Sequence, residues 1–266
     1  MNFMMRPAIQ SLRELADYRD LLYNLTLSEL KIRYRGSLLG FLWTVLNPLF
    51  FLLILAFVFS RIIRFHVDNY TIFLFSGLVS WLMVQQTVTI ATASVVNNQH
   101  LIRKVYIPKL VFPLSSVLAR YADHAVLTAV LFLFMALYRA PFTPYLLILP
   151  FVILLHFAFS LGLSLLFAVA HIRVRDVQQI AAVLFQALFY ATPILYPLEA
   201  LPEGFRAILL WNPAYYFVEC LRWPVYRGGF PPADILLTAS GLAAAALILG
   251  FALFTRKERL FVFHLS

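Results

Sequence analysis

The fold of this chain is decided by the stretch Glu29-Leu-Lys-Ile-Arg-Tyr-Arg-Gly-Ser-Leu-Leu-Gly-Phe-Leu-Trp43. It joins a basic, amphipathic segment to a long apolar one, and no polar loop separates the two. Apolar residues recur every three or four positions over residues 8–34, which predicts an amphipathic helix. That helix is too polar to cross a bilayer, so we expect it to lie at the membrane interface and to lead into a first membrane span.

The composition places the whole chain in a membrane. Its 266 residues are 62% hydrophobic and 12% charged, and the mean hydropathy is +0.85. Soluble domains are about 45–50% apolar and about 25% charged, so the excess has to be hidden from water. Because a membrane segment must satisfy its backbone hydrogen bonds internally, the chain is predicted to be an all-α membrane protein.

Six stretches are apolar over enough residues to cross ~30 Å of hydrocarbon as helices. We place these spans near residues 38–60, 71–97, 110–138, 145–170, 178–197 and 233–254. No linker, repeat or low-complexity segment divides the chain, so 1–266 is predicted to be a single transmembrane domain.

The basic residues set the predicted orientation. Most Lys and Arg residues outside the spans fall in one alternate set of connecting segments, which the positive-inside rule makes cytoplasmic. Both termini are then cytoplasmic, in a multi-pass protein. The net charge of +9 reflects this bias, and no basic run is long enough to predict nucleic-acid binding.

The segment after the fifth predicted span is unusual for an outside loop. Short apolar pieces in residues 198–218 are interrupted by proline and are too short to cross the membrane. Such pieces are typical of re-entrant or interfacial helices, which are tolerated at membrane depth where they are buried in protein or line a cavity. This pattern fits a gate beside a transport pathway. It also fits an interfacial loop that only packs against the rest of the protein.

Two predicted cytoplasmic segments are candidate contacts for a partner. In residues 97–108, Leu101, Ile102 and Val105 can form one apolar stripe beside Arg103 and Lys104, a pattern that suits a partner's groove. The alternative is a solvated connector. The shorter turn at 171–176 either touches the same partner or anchors the membrane surface.

Arg120 and Asp123 lie near the middle of the third predicted span. Ionisable residues at that depth are costly unless they are paired or hydrated, and an i, i+3 spacing lets these two pair on one helix face. One interpretation is functional: the pair lines a water-filled pathway or locks two helices together. The other is structural: the two residues satisfy each other in a packed interface between helices.

A membrane acyltransferase is one alternative for the sequence. His171 and Asp176, with Pro202-Glu-Gly204, mimic the sequence blocks of glycerolipid acyltransferases, but the predicted topology puts the blocks on opposite sides of the membrane. No phosphate-binding loop for ATP is present, so any ATPase must be another polypeptide. The single cysteine, Cys220, excludes an internal disulfide and a cysteine-based metal site, and no metal site is predicted.

Several blocks resemble the permease subunit of ABC-type polysaccharide exporters, which move O-antigen, capsular polysaccharide or teichoic acid. The resemblance rests on the stretch that ends at Trp43 with Asn47-Pro48, and on 98–108 with Pro113. It continues from Arg175-Asp176 to Phe189-Tyr-Ala-Thr-Pro-Ile-Leu-Tyr-Pro197, and it ends in Trp211-Asn-Pro213 with Arg222. These blocks are in the family's order and cover nearly the whole chain.

The resemblance implies a homodimer in the bacterial inner membrane, bound to two ATP-binding subunits that hold ATP and Mg²⁺. This chain would then be a transporter permease without cofactor or catalytic residues, and it would move a lipid-linked polysaccharide between its two copies. The implied coupling residues are Asn98, His100, Leu101, Ile102, Arg103, Lys104, Tyr106, Arg173, Arg175 and Asp176. Those of the interface helix are Arg13, Asp17, Lys31, Arg33 and Arg35.

The same resemblance implies a channel lined by aromatic rings and a gate near the outer exit. The channel candidates are Trp43, Phe50, Phe51, Phe189, Tyr190 and Tyr196, whose rings can stack on sugars. The gate candidates are Pro193, Pro197, Asn212 and Pro213. Two further alternatives are an exporter of the same architecture for a drug or haem, and a membrane scaffold that transports nothing.

Overall fold

A computed structural model describes residues 14–59, 67–258 and 261. Across these residues the chain is helical and contains no strand. The α-helices are α1 Arg19–Tyr34, α2 Trp43–Phe57, α3 Tyr70–Thr92, α4 Ser94–Asn97, α5 Gln99–Ile102, α6 Val111–Leu137, α7 Leu149–Arg173, α8 Val177–Ala191, α9 Glu203–Leu209, α10 Pro213–Arg222 and α11 Ala233–Lys257.

Five helical segments in the described part of the chain are long and apolar enough to cross a membrane. They are Gly40–Phe57, Tyr70–Thr92, Val111–Leu137, Pro144–Arg173 and Ala233–Lys257. The helix at the fifth predicted span, α8, has only 15 residues, or about 22 Å at 1.5 Å per residue. Six spans therefore stay a prediction, with α8 as the short one.

Two predicted spans end earlier than the hydropathy indicates. The helix in 71–97 breaks at Ala93, after which the short helix α4 begins. The helix in 178–197 ends at Ala191, because Thr192 precedes a proline and takes an extended conformation (φ −104°, ψ 139°). A proline disfavours helical geometry at the residue before it, so residues 192–197 are not helical.

The core is built around α3, which packs against α6, α7 and α10. Most of its side chains are buried, including the polar Ser76, Ser80 and Thr87. Ser80 lies 2.8 Å from Nε2 of His156 on α7, whose Nδ1 is 2.8 Å from the Val152 carbonyl oxygen. These three polar residues are therefore buried within the bundle, and Ser80 contacts a neighbouring helix, as is usual in membrane proteins.

The amphipathic helix α1 packs along the first half of α6. Leu21, Leu22 and Leu25 contact a second buried cluster that contains Val111, Phe112, Ile172 and Phe254. The predicted polar residues Asp17, Lys31 and Arg35 are exposed. Arg13 lies outside the described residues, as do residues 8–12 of the predicted helix.

The tightest helix pair is α7 with α11. A methyl group added to Gly162 would overlap the backbone of Ala246, and one added to Gly250 would overlap the backbone of Gly162. Small residues at such crossings let two membrane helices approach closely. The backbones of α7 and α11 thus meet where neither Gly162 nor Gly250 has a side chain.

We expect Gly162→Ala to lower the thermal stability of the purified chain in detergent, since overpacking costs about 1–3 kcal/mol. The matched control is Gly241→Ala on α11, where a methyl group meets nothing within 4 Å. An alanine there should be neutral or stabilising. Equal melting temperatures for the two variants would contradict the close crossing.

Candidate functional site

A buried carboxylate joins α1 to α6. The Asp123 side chain is 2% exposed and contacts the guanidinium of Arg33, from α1, through its Oδ2 atom. Arg120 Nη1 lies 3.5 Å from the same oxygen. The predicted intramembrane pair, Arg120 and Asp123, is therefore in contact, and Arg33 is a third member that the spacing on one helix does not reveal.

A second link between these helices lies one turn earlier on α1. The hydroxyl of Ser116 donates to Glu29 Oε1 at 2.6 Å. Burial raises the pKa of the Glu29 carboxyl, while the bond from Ser116 and the charge of Arg33 act in the opposite direction. Because α1 is held by Glu29 and by Arg33, it is fixed to α6 at two levels.

An aromatic cleft of about 520 Å³ opens between α2, α3 and α8. Its lining includes Trp81, with Phe51, Phe189 and Tyr190 around it. The Phe189 ring centroid lies 5.8 Å from that of Trp81 and 6.1 Å from that of Phe51. The structure thus brings together three of the six predicted channel rings.

The other predicted rings lie elsewhere. Trp43 lines a separate polar cavity, and Phe50 is exposed on α2. The Tyr196 hydroxyl donates to the Tyr190 carbonyl at 2.8 Å. Sequence reasoning missed Trp81, although it lies one turn before Gln85 in the most polar span and donates to the Gln85 side chain at 3.1 Å.

The non-helical turn after α8 is buried and held by side chains. Asn212 Nδ2 donates to Thr192 Oγ1 at 2.9 Å and to the Ala191 carbonyl at 3.3 Å. Its Oδ1 accepts from the Ala214 backbone N–H at 3.0 Å and so caps α10. The Tyr70 hydroxyl donates to the Leu195 carbonyl at 2.6 Å. The gate candidate Asn212 therefore connects the turn to α10. Of the other gate candidates, Pro193 is buried in the turn, and Pro197 and Pro213 are half-buried on either side of it.

Arg222 holds the centre of the same turn. Its Nη1 donates to the Pro193 carbonyl at 2.9 Å and to Glu219 Oε1 at 2.8 Å, and its guanidinium lies 3.9 Å from the Phe73 ring centroid. The absence of a side chain at Gly77 makes room for it, because a Cβ there would be 2.6 Å from Arg222 Nη2. The residue is 1% exposed, so its charge is buried in the protein and is met there by Glu219.

The cytoplasmic candidate segment differs from its prediction. Leu101 and Ile102 are half-buried against the cluster beneath α1, so they do not form an exposed stripe with Val105. The exposed apolar side chains are Val105 and Tyr106, at 56% and 68% exposure. Leu101 and Ile102 turn inward because the segment lies against apolar side chains of other helices.

Polar contacts also fasten this segment to the residues just before α1. The Tyr106 hydroxyl donates to Glu14 Oε2 at 3.2 Å. Partial desolvation raises the pKa of Tyr106, and the neighbouring Glu14 charge adds to the effect. The remaining coupling candidates His100, Arg103, Lys104, Arg173, Arg175 and Asp176 are exposed, and Asn98 Nδ2 donates to the Ser94 carbonyl at 2.8 Å.

The residues that mimic an acyltransferase do not form a common site. His171 is buried at the end of α7, whereas Asp176 is exposed at the start of α8. The Pro202–Gly204 block follows the other end of α8. No group of three or more metal-binding side chains occurs within residues 14–59, 67–258 and 261.

Comparison with known proteins decides the family. The model of the ABC-2 type transporter membrane family matches residues 20–226, from α1 to the turn after α10. The chain belongs to the ABC-2 type transporter family. The resemblance read from the motifs is thereby confirmed.

Individual relatives of this ABC-2 family chain are transport proteins. It is 33% identical over 254 residues to the O-antigen export system permease protein RfbA of Myxococcus xanthus, which covers 94% of this chain and 97% of that protein. It is 33% identical over 195 residues to RfbA of Klebsiella pneumoniae, covering 73% and 75%. The polysialic acid transport protein KpsM of Escherichia coli is 26% identical over 241 residues, covering 88% and 92%.

We expect Arg222→Gln to destabilise the purified chain strongly. The change removes the donor to the carbonyl groups of Pro193 and Ile194 and leaves Glu219 without its main partner. Breaking a buried ion pair typically costs about 3–5 kcal/mol. Thermal unfolding of the purified chain in detergent is the measurement.

The matched control is Arg227→Gln. Arg227 also pairs with Glu219, at 3.2 Å, but its side chain is 35% exposed and should contribute much less. The double variant Glu219→Gln/Arg222→Gln should recover part of the loss, since it leaves no buried charge alone. If Arg222→Gln were no less stable than Arg227→Gln, Arg222 would not be the residue that supports the turn.

Proposed function

We propose that this chain is the membrane-spanning subunit of an ATP-driven polysaccharide exporter in the bacterial inner membrane. Two copies form the pathway, and two separate ATP-binding subunits hold ATP and Mg²⁺ and supply the energy. A lipid-linked polysaccharide of the O-antigen kind moves outward between the copies. The observation that carries this proposal is the similarity, over almost its full length, to an O-antigen export permease.

The exposed surface of α2 supports a second copy. Its apolar side chains Phe50, Leu53, Ile54 and Phe57 are each more than half exposed. Only 11% of the residues of the first span are buried within the chain, against 78% of the residues in the 18-residue apolar stretch of α3. Lipid covers such a surface as readily as protein does, but α2 also borders the aromatic cleft, which a second copy would close into a channel.

The aromatic cleft supports a sugar polymer as the cargo. Trp81, Phe189 and Tyr190 present ring surfaces, and Gln85 and Gln186 add amide groups that can hydrogen-bond hydroxyls. Rings that stack on sugar faces do not require one sugar sequence, which suits a chain that slides. A drug or haem exporter of the same architecture is the alternative that the transport assay below separates.

The cytoplasmic surface supports an ATP-binding partner. Val105 and Tyr106 lie beside the basic residues Arg103 and Lys104, and together with Lys109 they border a groove of about 240 Å³. An exposed apolar patch with basic neighbours suits insertion into a partner's cleft. In this proposal ATP-driven closure of the partner pushes this segment and α1, and that motion opens the pathway.

The experiment is co-purification of the tagged chain with the ATP-binding protein encoded beside it, followed by reconstitution into liposomes. The expected result is a complex of two permeases and two ATP-binding subunits that hydrolyses ATP and exports a lipid-linked glycan. Export of only a small molecule would support the drug or haem alternative. A chain that purifies alone and stimulates no ATPase would overturn the exporter proposal in favour of a scaffold.

In that complex we expect Val105→Asp to weaken partner binding and ATP-dependent export by at least about tenfold, because an apolar contact is replaced by a carboxylate that must be desolvated. Pull-down and export assays measure the two effects. Val105→Ile keeps the apolar contact and should behave as the unchanged chain. Normal binding and export by the aspartate variant would exclude Val105 from the coupling surface.

A further inference from the structure

A polar cavity of about 330 Å³ lies where α1 leads into α2, against α3 and α6. Seven of its described lining residues carry hydrogen-bond donors in their side chains: Arg33, Ser37, Trp43, Thr44, Asn47, Gln86 and Arg120. Its volume is at the lower end of the range for small-ligand pockets. A cavity with this lining suits a small ligand that offers only acceptors.

The charges around the cavity favour an anion. Both guanidinium groups line it, whereas Asp123, which contacts both, is 2% exposed and is not part of the lining. The second nearby acid, Glu29, is engaged by Ser116 on α6. Two basic residues therefore line the cavity, and no carboxylate occurs among its described lining residues.

Arg120 has a donor that no group in the described part of the chain uses. The residue is 8% exposed, and its Nε–H is buried without a hydrogen-bond partner among the described residues. An unsatisfied buried donor on a charged group is costly and is rare in native proteins. A small movement of the Arg120 side chain toward a ligand with strong acceptor oxygens in this cavity would satisfy it.

The cavity extends inward from the predicted cytoplasmic interface, between the start of the first span and the first half of α6. Arg120 is about 14 Å along α6 from its start at Val111, at 1.5 Å per residue. Trp43, in the cavity wall, is 40% exposed at the start of the first span, where aromatic side chains mark the membrane interface. Basic pockets between helices on the cytoplasmic side are a recurrent way to bind phosphate headgroups.

We propose that this cavity binds the phosphate group of an anionic lipid headgroup, with Arg33 and Arg120 as the cationic ligands and Gln86 as a neutral donor. The phosphate can come from a membrane phospholipid or from the diphosphate of a lipid-linked glycan. The site itself does not rest on the proposed export function; only the second source does.

The test uses the full-length chain in nanodiscs of phosphatidylcholine. Three probes are compared with phosphatidylcholine: phosphatidylglycerol, a long-chain polyprenyl diphosphate, and inorganic diphosphate. Spin-labelled forms of the two anionic lipids report binding directly, and inorganic diphosphate is added as a competitor. We expect one or both anionic lipids to be preferred over phosphatidylcholine.

Two variants change the cavity in different ways. Arg120→Gln removes a cation and should weaken anionic-lipid binding about tenfold or more, the effect of losing one charge-assisted hydrogen bond. Gln86→Leu leaves the Arg33–Asp123–Arg120 contacts in place and should weaken binding by a smaller factor. Arg256→Gln, an exposed cation at the end of α11, is the control and should leave binding unchanged.

The outcomes separate the sources and can overturn the site. Preference for the polyprenyl diphosphate alone assigns the cavity to the glycan carrier, and equal binding of both anionic lipids assigns it to headgroup phosphate in general. Displacement by inorganic diphosphate shows that the phosphate suffices. The proposal fails if no anionic lipid is preferred over phosphatidylcholine. It also fails if Gln86→Leu, and Arg120→Gln where that variant folds, bind anionic lipid as tightly as the unchanged chain does. These results do not depend on export, so failure of the site and failure of the transport proposal are distinguishable.

Discussion

The guanidinium of Arg222 is the group on which the region around the turn between α8 and α10 depends. Between α8 and α10 the backbone leaves helical geometry, and at membrane depth its carbonyl groups cannot turn to water. Arg222 Nη1 donates to the Pro193 carbonyl, while the ends of the turn are bound by Asn212 and Tyr70. The interruption exists because these side chains replace the missing backbone hydrogen bonds.

A different set of polar contacts organises the region where α1 packs on α6. Tyr106 donates to Glu14, Ser116 donates to Glu29, and Arg33 contacts Asp123. The first bond fastens the loop after α5 to the residues just before α1, and the other two fasten α1 to α6. Under the proposed function, a push on the cytoplasmic segment would therefore act on α1 and α6 together rather than on a free loop.

The helix α2 borders both cavities and is the least buried of the long helices. Trp43, Thr44 and Asn47 line the polar cavity, whereas Phe51 lines the aromatic cleft. Its remaining apolar surface faces outward. A helix with two cavities at its sides and an open apolar face is well placed to respond both to a lipid headgroup and to a second copy.

The sequence by itself determined the helical class, the positions of the long apolar helices and the family. Hydropathy and the spacing of apolar residues can be read from the sequence because they are local properties. A backbone at membrane depth also has few ways to satisfy its hydrogen bonds, which restricts the possible folds. The contact between Arg120 and Asp123 could also be predicted from the sequence, because residues at i and i+3 lie on one face of the same helix.

Only the tertiary structure decided which residues meet across the chain. Arg33 and Asp123 are 90 positions apart, and Arg222 reaches back to Pro193 from another helix. Leu101 and Ile102 have the same apolar character as Val105, and only packing against α1 and its cluster separates the buried residues from the exposed one. Hydrophobic pattern gives the tendency to be buried, but the partner that buries a side chain is set by how the helices cross.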